Sequence, residues 1–216
     1  CYVSHLNSNS RIHVIVDPDV DGFCSASEII RYTNKIKPDT RITYSLHTLK
    51  QHGLSEDIQI PEDINLLIIP DAGSNDIEQC KKLNENSVNI IILDHHICDK
   101  ENPYAIVVNN QMCDYPNKNF CGGGIVYKFL QAVDDELWEN HADDFLDMVA
   151  LSNISDVMDM REFETRYYVD AGLNKIRSKV FKALIEKQSY SMKDIVNMSD
   201  NEDNMQSSIM VPFDDA

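Results

Sequence analysis

The sequence predicts an α/β fold: a doubly wound, mainly parallel sheet with helices on both faces, followed by a helical C-terminal part. Short apolar, β-branched runs, typical of strands buried on both faces, alternate with longer helix-like stretches. This alternation is typical of consecutive βαβ units. The chain has 216 residues, of which 43% are hydrophobic, so it is long enough to bury a core.

The first half of the predicted sheet opens with the run Ile12 to Val16 (IHVIV), which ends in an Asp/Pro/Gly cluster. A helix-like stretch follows over about residues 24–35, so strand, acidic loop and helix open a βαβ unit. Arg41 to Leu46 (RITYSL) is the second predicted strand. Asn65 to Ile69 (NLLII) is the third and is apolar enough to be buried on both faces.

The second half continues the pattern with a predicted helix from Asp76 to Asn86. Val88 to Leu93 (VNIIIL) is a further buried strand, and Ala105 to Val108 is a shorter one. After Gly124 the chain becomes helical, with predicted helices over about residues 125–137, 142–154 and 162–186. We expect residues 1–186 to form one domain, and residues 187–216 to form a linker or the start of a further C-terminal domain.

The charge of the chain restricts its binding partners. Its net charge is −17, from 36 acidic and 19 basic residues. A protein that binds a long nucleic acid by its phosphates normally has a basic surface, so this balance favours a short substrate or basic surface outside this chain. The sequence has no run of about 18 apolar residues and no signal segment, so no membrane contact is expected. The six scattered cysteines predict a reduced, cytoplasmic protein.

Acidic residues follow three of the predicted buried strands, at the point where each strand ends. Asp17 to Gly22 (DPDVDG) follows the first strand, Asp71 follows the third, and Asp94 to His96 (DHH) follows the fourth. A further acid, Asp156, comes after an apolar stretch. Because ligands of open α/β sheets bind beyond the carboxyl ends of the strands, we expect these side chains to meet at one edge.

Carboxylates gathered in this way repel one another and are costly to bury without a countercharge. A pair of divalent cations would remove that cost and supply a site for phosphoryl transfer. Several carboxylates with one imidazole suit Mn²⁺ or Mg²⁺ better than they suit a thiolate-rich zinc site. The pattern therefore predicts a centre of two divalent cations.

The DPDVDG motif has a second interpretation as a calcium-binding loop, because Glu28 occupies the twelfth position counted from Asp17. Such a loop follows a helix, whereas a predicted strand precedes Asp17. Taken alone, Asp71 is typical of a turn or helix cap, and a pair of histidines is typical of a surface loop. The joint placement at strand ends favours the two-cation site.

The order and spacing of these motifs resemble the DHH phosphoesterase family. DPDVDG, the strand ending in Asp71, DHH, and ALSNISDV ending near Asp156 are similar to its four successive motifs. The stretches 109–124 and 166–173 resemble RecJ-type nucleases, so the resemblance covers about residues 12–176. It implies that residues 1–186 are the phosphoesterase domain. Family members usually carry a second, smaller domain with a Gly-Gly-His motif, which this sequence does not contain.

The resemblance also implies a ligand set for two cations, with Mn²⁺ favoured over Mg²⁺. The first cation would take Asp17 and Asp19, the second would take Asp21, His95 and Asp156, and Asp71 would bridge both. His96 would contact the scissile phosphate or donate a proton to the leaving group, and Asp94 would orient a histidine.

The remaining candidates allow two interpretations. Gly122, Gly123 and Gly124 open a predicted helix, where free backbone amides bind phosphate well, but glycines also permit close packing. Both interpretations stay open. Trp138 and Tyr127 are predicted core residues, and five histidines match no ligand position and are interpreted as ordinary residues: His5, His13, His47, His52 and His141.

The predicted function is metal-dependent hydrolysis of phosphodiester bonds, as in a RecJ-like exonuclease acting on single-stranded DNA. One alternative is an enzyme for short substrates such as oligoribonucleotides, cyclic dinucleotides, nucleotide bisphosphates or pyrophosphate, which the acidic composition favours. Another alternative is a non-catalytic replication or repair scaffold. Such a scaffold typically lacks metal ligands, whereas the implied ligand set is complete here.

Overall fold

The computed structural model describes residues 1–8, 10–47, 51–55 and 58–188. Within Cys1–Arg177 it contains one five-stranded sheet and six α-helices, with a short 3-10 helix (Ala142–Phe145) before the fifth. The strands are β1 (Arg11–Val16), β2 (Arg41–Leu46), β3 (Leu66–Pro70), β4 (Asn89–Asp94) and β5 (Ile106–Asn109). The helices are α1 (Tyr2–Asn7), α2 (Val20–Ile36), α3 (Ile77–Glu85), α4 (Gly122–Leu137), α5 (Leu146–Ser155) and α6 (Phe163–Leu173).

The sheet is entirely parallel, with the strand order β2-β1-β3-β4-β5. The chain therefore adds β2 on one side of β1 first, and then adds β3, β4 and β5 on the other side. The loops leaving the carboxyl ends of β1 and β3 run in opposite directions, which opens a crevice between these two strands. This arrangement confirms the predicted α/β class, and each of the five strands lies within one residue of its prediction.

The central strands β1, β3 and β4 are mainly apolar because helices cover both faces of the sheet there, whereas the edge strand β2 is largely exposed. Along β1, Val14 and Val16 pack into one core with residues of α1, α2, α4 and α5. Ile15 points the other way, into a second core that contains Cys80 of α3. Residues of β3 and β4 alternate in the same manner, so both cores rest on the two-residue periodicity of the strands.

Helix α2 begins four residues earlier than predicted, within the acidic motif itself. Asp19 is its N-cap, and the Asp19 side chain accepts a hydrogen bond from the Gly22 amide at 2.8 Å. An aspartate at this position satisfies an amide that has no partner in the first helical turn. As a result, Asp21 lies on the first turn of α2 rather than in a loop.

The predicted helix over residues 162–186 is interrupted. Helix α6 ends at Leu173, after Gly172 and before Asn174, both of which are poor helix formers. The Arg177 amide then donates to Asp147 at 2.7 Å, which fixes this non-helical backbone against α5. The chain divides into two compact units, Cys1–Arg177 and Ser178–Ala216, and the second contains a helical segment over residues 179–188. Most of the predicted linker, 187–216, lies outside the described residues.

The prediction for Trp138 was wrong, whereas Tyr127 is buried as expected. Trp138 follows the last residue of α4 in the left-handed conformation (φ 58°), and its side chain is 95% exposed. Helix α4 ends at Leu137, and the Trp138 side chain lies in solvent, outside the core. All six cysteines are free. In the part of the chain that the structure describes, no helix has the length and apolar character needed to cross a membrane.

Candidate metal centre

Side chains from four segments converge at the carboxyl edge of the sheet, beside the crevice between β1 and β3. Asp17 follows β1, Asp71 follows β3, Asp94 is the last residue of β4, and Asp156 follows the last residue of α5. Parallel strands bring these residues together because their carboxyl ends share one edge of the sheet.

The first group of oxygens comes from Asp17, Asp19 and Asp71, whose carboxylates lie within 4.8 Å of one another. Asp17 and Asp71 are buried, and one oxygen of each, Oδ1, accepts no hydrogen bond from the described residues. Buried carboxylate oxygens are normally satisfied, so two unsatisfied ones on neighbouring aspartates are suited to bind a cation. Asp71 also has a positive φ of 66°, a strained backbone of the kind found at functional sites.

The second group surrounds the buried imidazole of His95. Its Nε2 atom lies 3.2 Å from Asp71 Oδ1, 3.6 Å from Asp21 Oδ2 and 3.6 Å from Asp156 Oδ2. Adjacent ligands of a cation bound at about 2.1 Å in octahedral geometry lie about 3 Å apart. The donor set and its spacing therefore fit a divalent cation. Asp71 belongs to the first group and also to a group with His95 and His96, and His95 belongs as well to a group with Asp21 and Asp156.

Burial and the charges of neighbouring carboxylates raise the pKa values of three acids of the cluster, Asp17, Asp71 and Asp156. For Asp71, burial is the largest cause, followed by the charges of Asp21 and Asp19, and together they raise its pKa well above the ordinary value. Burial likewise raises the pKa of Asp17 and of Asp156. Two cations at this edge would reverse these shifts, since they favour the ionised carboxylates.

Asp94 is the orienting residue of the DHH segment. Its Oδ1 accepts hydrogen bonds from the His95 amide, the His96 amide and the His96 ring, and Oδ2 accepts one from the Ser74 amide. Burial opposes ionisation of Asp94, but the bonds from His96 and Ser74 outweigh it and lower its pKa to about 2. The hydrogen bond to Asp94, at 2.8 Å, raises the pKa of the half-exposed His96 ring.

The glycine run 122–124 begins α4 directly against the acidic cluster. The Gly122 and Gly123 amides both donate to Asp21 at 2.8 Å, and the Ser152 hydroxyl donates to the same carboxylate. A β-carbon on Gly122 would lie 2.3 Å from Asp71 Oδ1, and one on Gly123 would lie 2.4 Å from Ser152 Oγ. This geometry favours close packing over the predicted phosphate binding, because Asp21 already takes the two amides.

An open cleft of about 670 Å³ lies beside the acidic cluster. His96 and Asp94 line one part of it, His52 and Gly53 line another, and the loop Ala72–Asp76 completes the wall. A substrate in this cleft would contact His96, whose ring is 57% exposed, whereas His95 stays buried among the carboxylates. The two neighbouring histidines of the DHH segment therefore have different surroundings and different chemistry.

Two residues of the site were missed from the sequence. His52, interpreted as ordinary, has its Nδ1 atom 2.6 Å from Asp17 Oδ2. Ser152, on α5, contacts Asp21 and carried no signal beyond its place in the ALSNISDV motif. The ordinary interpretation does suit His13, whose ring nitrogens bond the hydroxyls of Thr43 and Ser45 on the neighbouring strand β2.

Glu28 lies on α2 and is fully buried, with no hydrogen-bond partner among the described residues for either oxygen. Burial is the largest cause that raises its pKa well above the ordinary value, and the charges of Asp21 and Asp147 add to it. Glu28 belongs to none of the ligand groups, and β1 precedes the DPDVDG motif, so the geometry does not resemble a calcium loop.

Replacing Glu28 with methionine is expected to stabilise the metal-free protein at pH 8 by about 1–3 kcal/mol, because an unpaired buried carboxyl is removed. Since its pKa is raised on folding, Glu28 favours the folded state below pH values near 4.5 and loses that contribution as the pH rises. The gain in Glu28→Met should therefore shrink at pH 5. Urea unfolding in EDTA at pH 8 and at pH 5 measures this gain in stability. No gain at pH 8 would contradict the description of Glu28 as an unpaired, buried carboxyl.

The Glu28→Gln variant is the control for this effect. Glutamine preserves the size and the polar atoms of the side chain but cannot ionise, so its stability should follow the pH dependence of Glu28→Met. The increase in stability of Glu28→Gln should be smaller than that of Glu28→Met, because glutamine keeps polar atoms buried.

Comparison with known proteins gives a match over most of the sheet and the cluster. The model of the DHH family, N-terminal domain, matches residues 11–152. "Putative SPbeta prophage-derived single-strand DNA-specific exonuclease YorK" of Bacillus subtilis (strain 168) is 46% identical over 194 residues, 89% of this chain and 34% of that protein. RecJ of the same organism, a single-stranded-DNA-specific exonuclease, is 27% identical over 180 residues, 80% of this chain and 22% of that protein.

Solved structures agree with the fold. A crystal structure of exonuclease RecJ bound to manganese superposes with a TM-score of 0.70 at 24% identity, covering 81% of this chain and 46% of that one. RecJ of Thermus thermophilus in complex with Mn²⁺ gives 0.68 at 23% identity, covering 81% and 26%. The chain thus spans about a third of the length of YorK and less of Bacillus RecJ.

Proposed function

Because the chain belongs to the DHH family, we propose that it is a phosphoesterase dependent on two divalent cations, and that it releases nucleotides from single-stranded DNA. The observation that carries the proposal is the sharing of ligands. Asp71 belongs to the group of Asp17 and Asp19 and also to a group with His95, which in turn groups with Asp21 and Asp156. Two adjacent cation sites that share one carboxylate account for this overlap.

In this proposal Asp17, Asp19 and Asp71 hold the first cation, and Asp71, Asp21, His95 and Asp156 hold the second. When bound, Mn²⁺ or Mg²⁺ would neutralise the phosphate and activate water for in-line displacement. The unsatisfied Oδ1 atoms of Asp17 and Asp71 support both assignments. The carboxylate-rich donor set suits either ion, and we favour Mn²⁺ because a RecJ structure on which the chain superposes is bound to manganese.

His96 is proposed as the residue that contacts the scissile phosphate or protonates the leaving oxygen. Its ring faces the cleft, and Asp94 holds its Nδ1 atom at 2.8 Å, so Nε2 is the atom available to the substrate. The raised pKa of His96 favours the protonated ring that a proton donor requires. Asp94 acts through His96 and contacts no substrate in this proposal.

Single-stranded DNA is proposed as the substrate because YorK and RecJ are named for activity on it and share 46% and 27% of aligned residues with this chain. The cleft beside His96 is open rather than enclosed, which supports entry of a strand end. The net charge of −17 favours a second candidate, hydrolysis of short nucleotides, because few basic residues are present to bind a long backbone.

The test is hydrolysis of a 5′-phosphorylated single-stranded oligonucleotide with Mn²⁺, with EDTA as control and a dinucleotide as competing substrate. Stepwise, Mn²⁺-dependent shortening of the long strand is the expected result. Cleavage of the dinucleotide alone would replace the proposal with the short-substrate enzyme. If neither is cleaved and calorimetry detects no Mn²⁺ binding, the two-cation proposal is overturned in favour of a scaffold.

A further inference from the structure

His52 makes a contact that nothing in its sequence context indicated. Its Nδ1 atom lies 2.6 Å from Oδ2 of Asp17, while the other oxygen of Asp17, Oδ1, is buried and accepts no hydrogen bond from the described residues. An ionised Asp17, as required of a cation ligand, only accepts hydrogen bonds, so in that state Nδ1 carries the proton and donates. The two oxygens of Asp17 are therefore distinguished: one is bound to protein and one is free.

The residues that follow His52 are fixed in place by the loop before α3. The Leu54 amide donates to Oδ2 of Asp76 at 2.7 Å, and the Leu54 side chain is buried. Gly53 has a φ of 59°, and a β-carbon there would lie 2.2 Å from the same Asp76 oxygen. Only glycine fits this close approach, so the backbone delivers His52 to a defined position against Asp17.

The burial of the two partners is unequal. The His52 side chain is 62% exposed and lines the cleft, whereas the Asp17 side chain is 2% exposed. An exposed ring contributes little to core packing, so the contribution of His52 lies in the hydrogen bond that it donates to a buried carboxylate. The value of this bond lies in the orientation of a carboxylate that faces the acidic cluster.

We propose that His52 is a positioning residue for the metal centre: its Nδ1–H fixes Oδ2 of Asp17 so that Oδ1 points at the first cation. This inference rests on the proposed two-cation site. Hydrogen-bonded partners of ligating carboxylates restrict their rotation, and their loss typically weakens metal binding about 10–100-fold. His52 therefore tunes the site from outside the ligand set, on the wall of the cleft that it shares with His96.

The experiment compares Mn²⁺ binding to the full chain with that of His52→Leu and His52→Asn, by calorimetry without substrate. His52→Leu removes the donor, and we expect its Mn²⁺ affinity to fall about 10–100-fold. The side-chain amide of asparagine occupies the position of Nδ1, so His52→Asn should restore most of the affinity. His141→Leu is the matched control, because it breaks a histidine–carboxylate contact to Glu139 outside the site.

The possible results distinguish a failure of the proposed function from a failure of the proposed role of His52. Absence of Mn²⁺ binding by the unmodified chain would overturn the proposed function itself. Unchanged affinity in His52→Leu, with the unmodified chain binding Mn²⁺, would overturn the role of His52 alone. Equal losses in His52→Leu and His52→Asn would also overturn it, because the hydrogen bond would then not be the cause. Circular dichroism in EDTA should show the same fold for all three chains, since the exposed ring contributes little to core packing.

Discussion

Replacing Asp71 with alanine is expected to abolish phosphodiester hydrolysis, with a loss of roughly 1,000-fold or more. Asp71 is the one carboxylate that contributes to both proposed cation sites, and its Oδ1 lies 3.2 Å from His95 Nε2. Its removal disturbs both sites at once, whereas loss of Asp19 would affect only the first. Substantial remaining activity in a folded Asp71→Ala variant would contradict the bridging role. Asp39→Ala, at an exposed turn, is the control.

The same position should show a gain in stability when no metal is present. Burial and the charges of Asp21 and Asp19 raise the pKa of Asp71, so this residue favours folding fully only below the pKa near 3.8 of the unfolded chain. The contribution is lost as the pH rises towards the higher folded-state pKa. Asp71→Asn removes the charge, and asparagine tolerates the positive φ of this position.

We therefore expect Asp71→Asn to be inactive and yet more stable than the unmodified chain in EDTA at pH 8, by about 1 kcal/mol or more. Addition of Mn²⁺ should reverse the order, because only the unmodified chain gains binding energy. Thermal unfolding with EDTA and with Mn²⁺ measures both effects. A lower stability of the variant in EDTA would show that the carboxylates do not repel one another as described.

Replacing Gly122 with alanine is expected to damage the metal centre without removing a ligand. The added β-carbon would lie 2.3 Å from Oδ1 and 2.6 Å from Cβ of Asp71, so either the Asp71 side chain or the start of α4 must shift. A displacement of about 1 Å can cost about 100-fold in rate, and we expect at least that loss of hydrolysis together with weaker Mn²⁺ binding. The cost in folding free energy should be about 1–3 kcal/mol.

The matched control for Gly122→Ala is Asp135→Ala, at an exposed position of the same helix. It changes helix propensity and charge without approaching the cluster, so its activity and Mn²⁺ affinity should be unchanged. A folded Gly122→Ala variant with unchanged Mn²⁺ affinity would contradict the packing described for the start of α4. Circular dichroism and calorimetry together separate misfolding from loss of the site.

The sheet was predictable because its strands carry the signal themselves. β3 and β4 are buried on both faces, which requires uninterrupted apolar runs such as LLII and IIIL, and an acidic residue follows each strand core. Helix boundaries were less predictable where a side chain sets them. Asp19 was expected only as a metal ligand, yet it also caps α2, and the break after Leu173 depends on contacts of Arg177 with α5.

The candidate residues were singled out by their positions after predicted strands or an apolar stretch, and the family resemblance implied their roles as ligands. The structure brings their side chains together. Sequence position did not reveal that His52 contacts Asp17. It also did not reveal that the Gly122 and Gly123 amides donate to Asp21. His52 lies in an irregular loop without periodicity, and its contact with Asp17 joins residues 35 positions apart. The glycine amides bind Asp21 from about 100 positions away, so only the packing of α4 on α2 reveals their partner.

The wide sequence spacing of the cluster has a consequence for synthesis on the ribosome. Chains emerge from the N-terminus, and the acidic DPDVDG motif of residues 17–22 precedes every other part of the cluster. The amides that satisfy Asp21 follow at Gly122 and Gly123, and Asp156 follows later still. A nascent chain shorter than this holds unneutralised carboxylates and an incomplete ligand set. The proposed ligand set therefore stays incomplete until the segment with Asp156, after α5, has been synthesised.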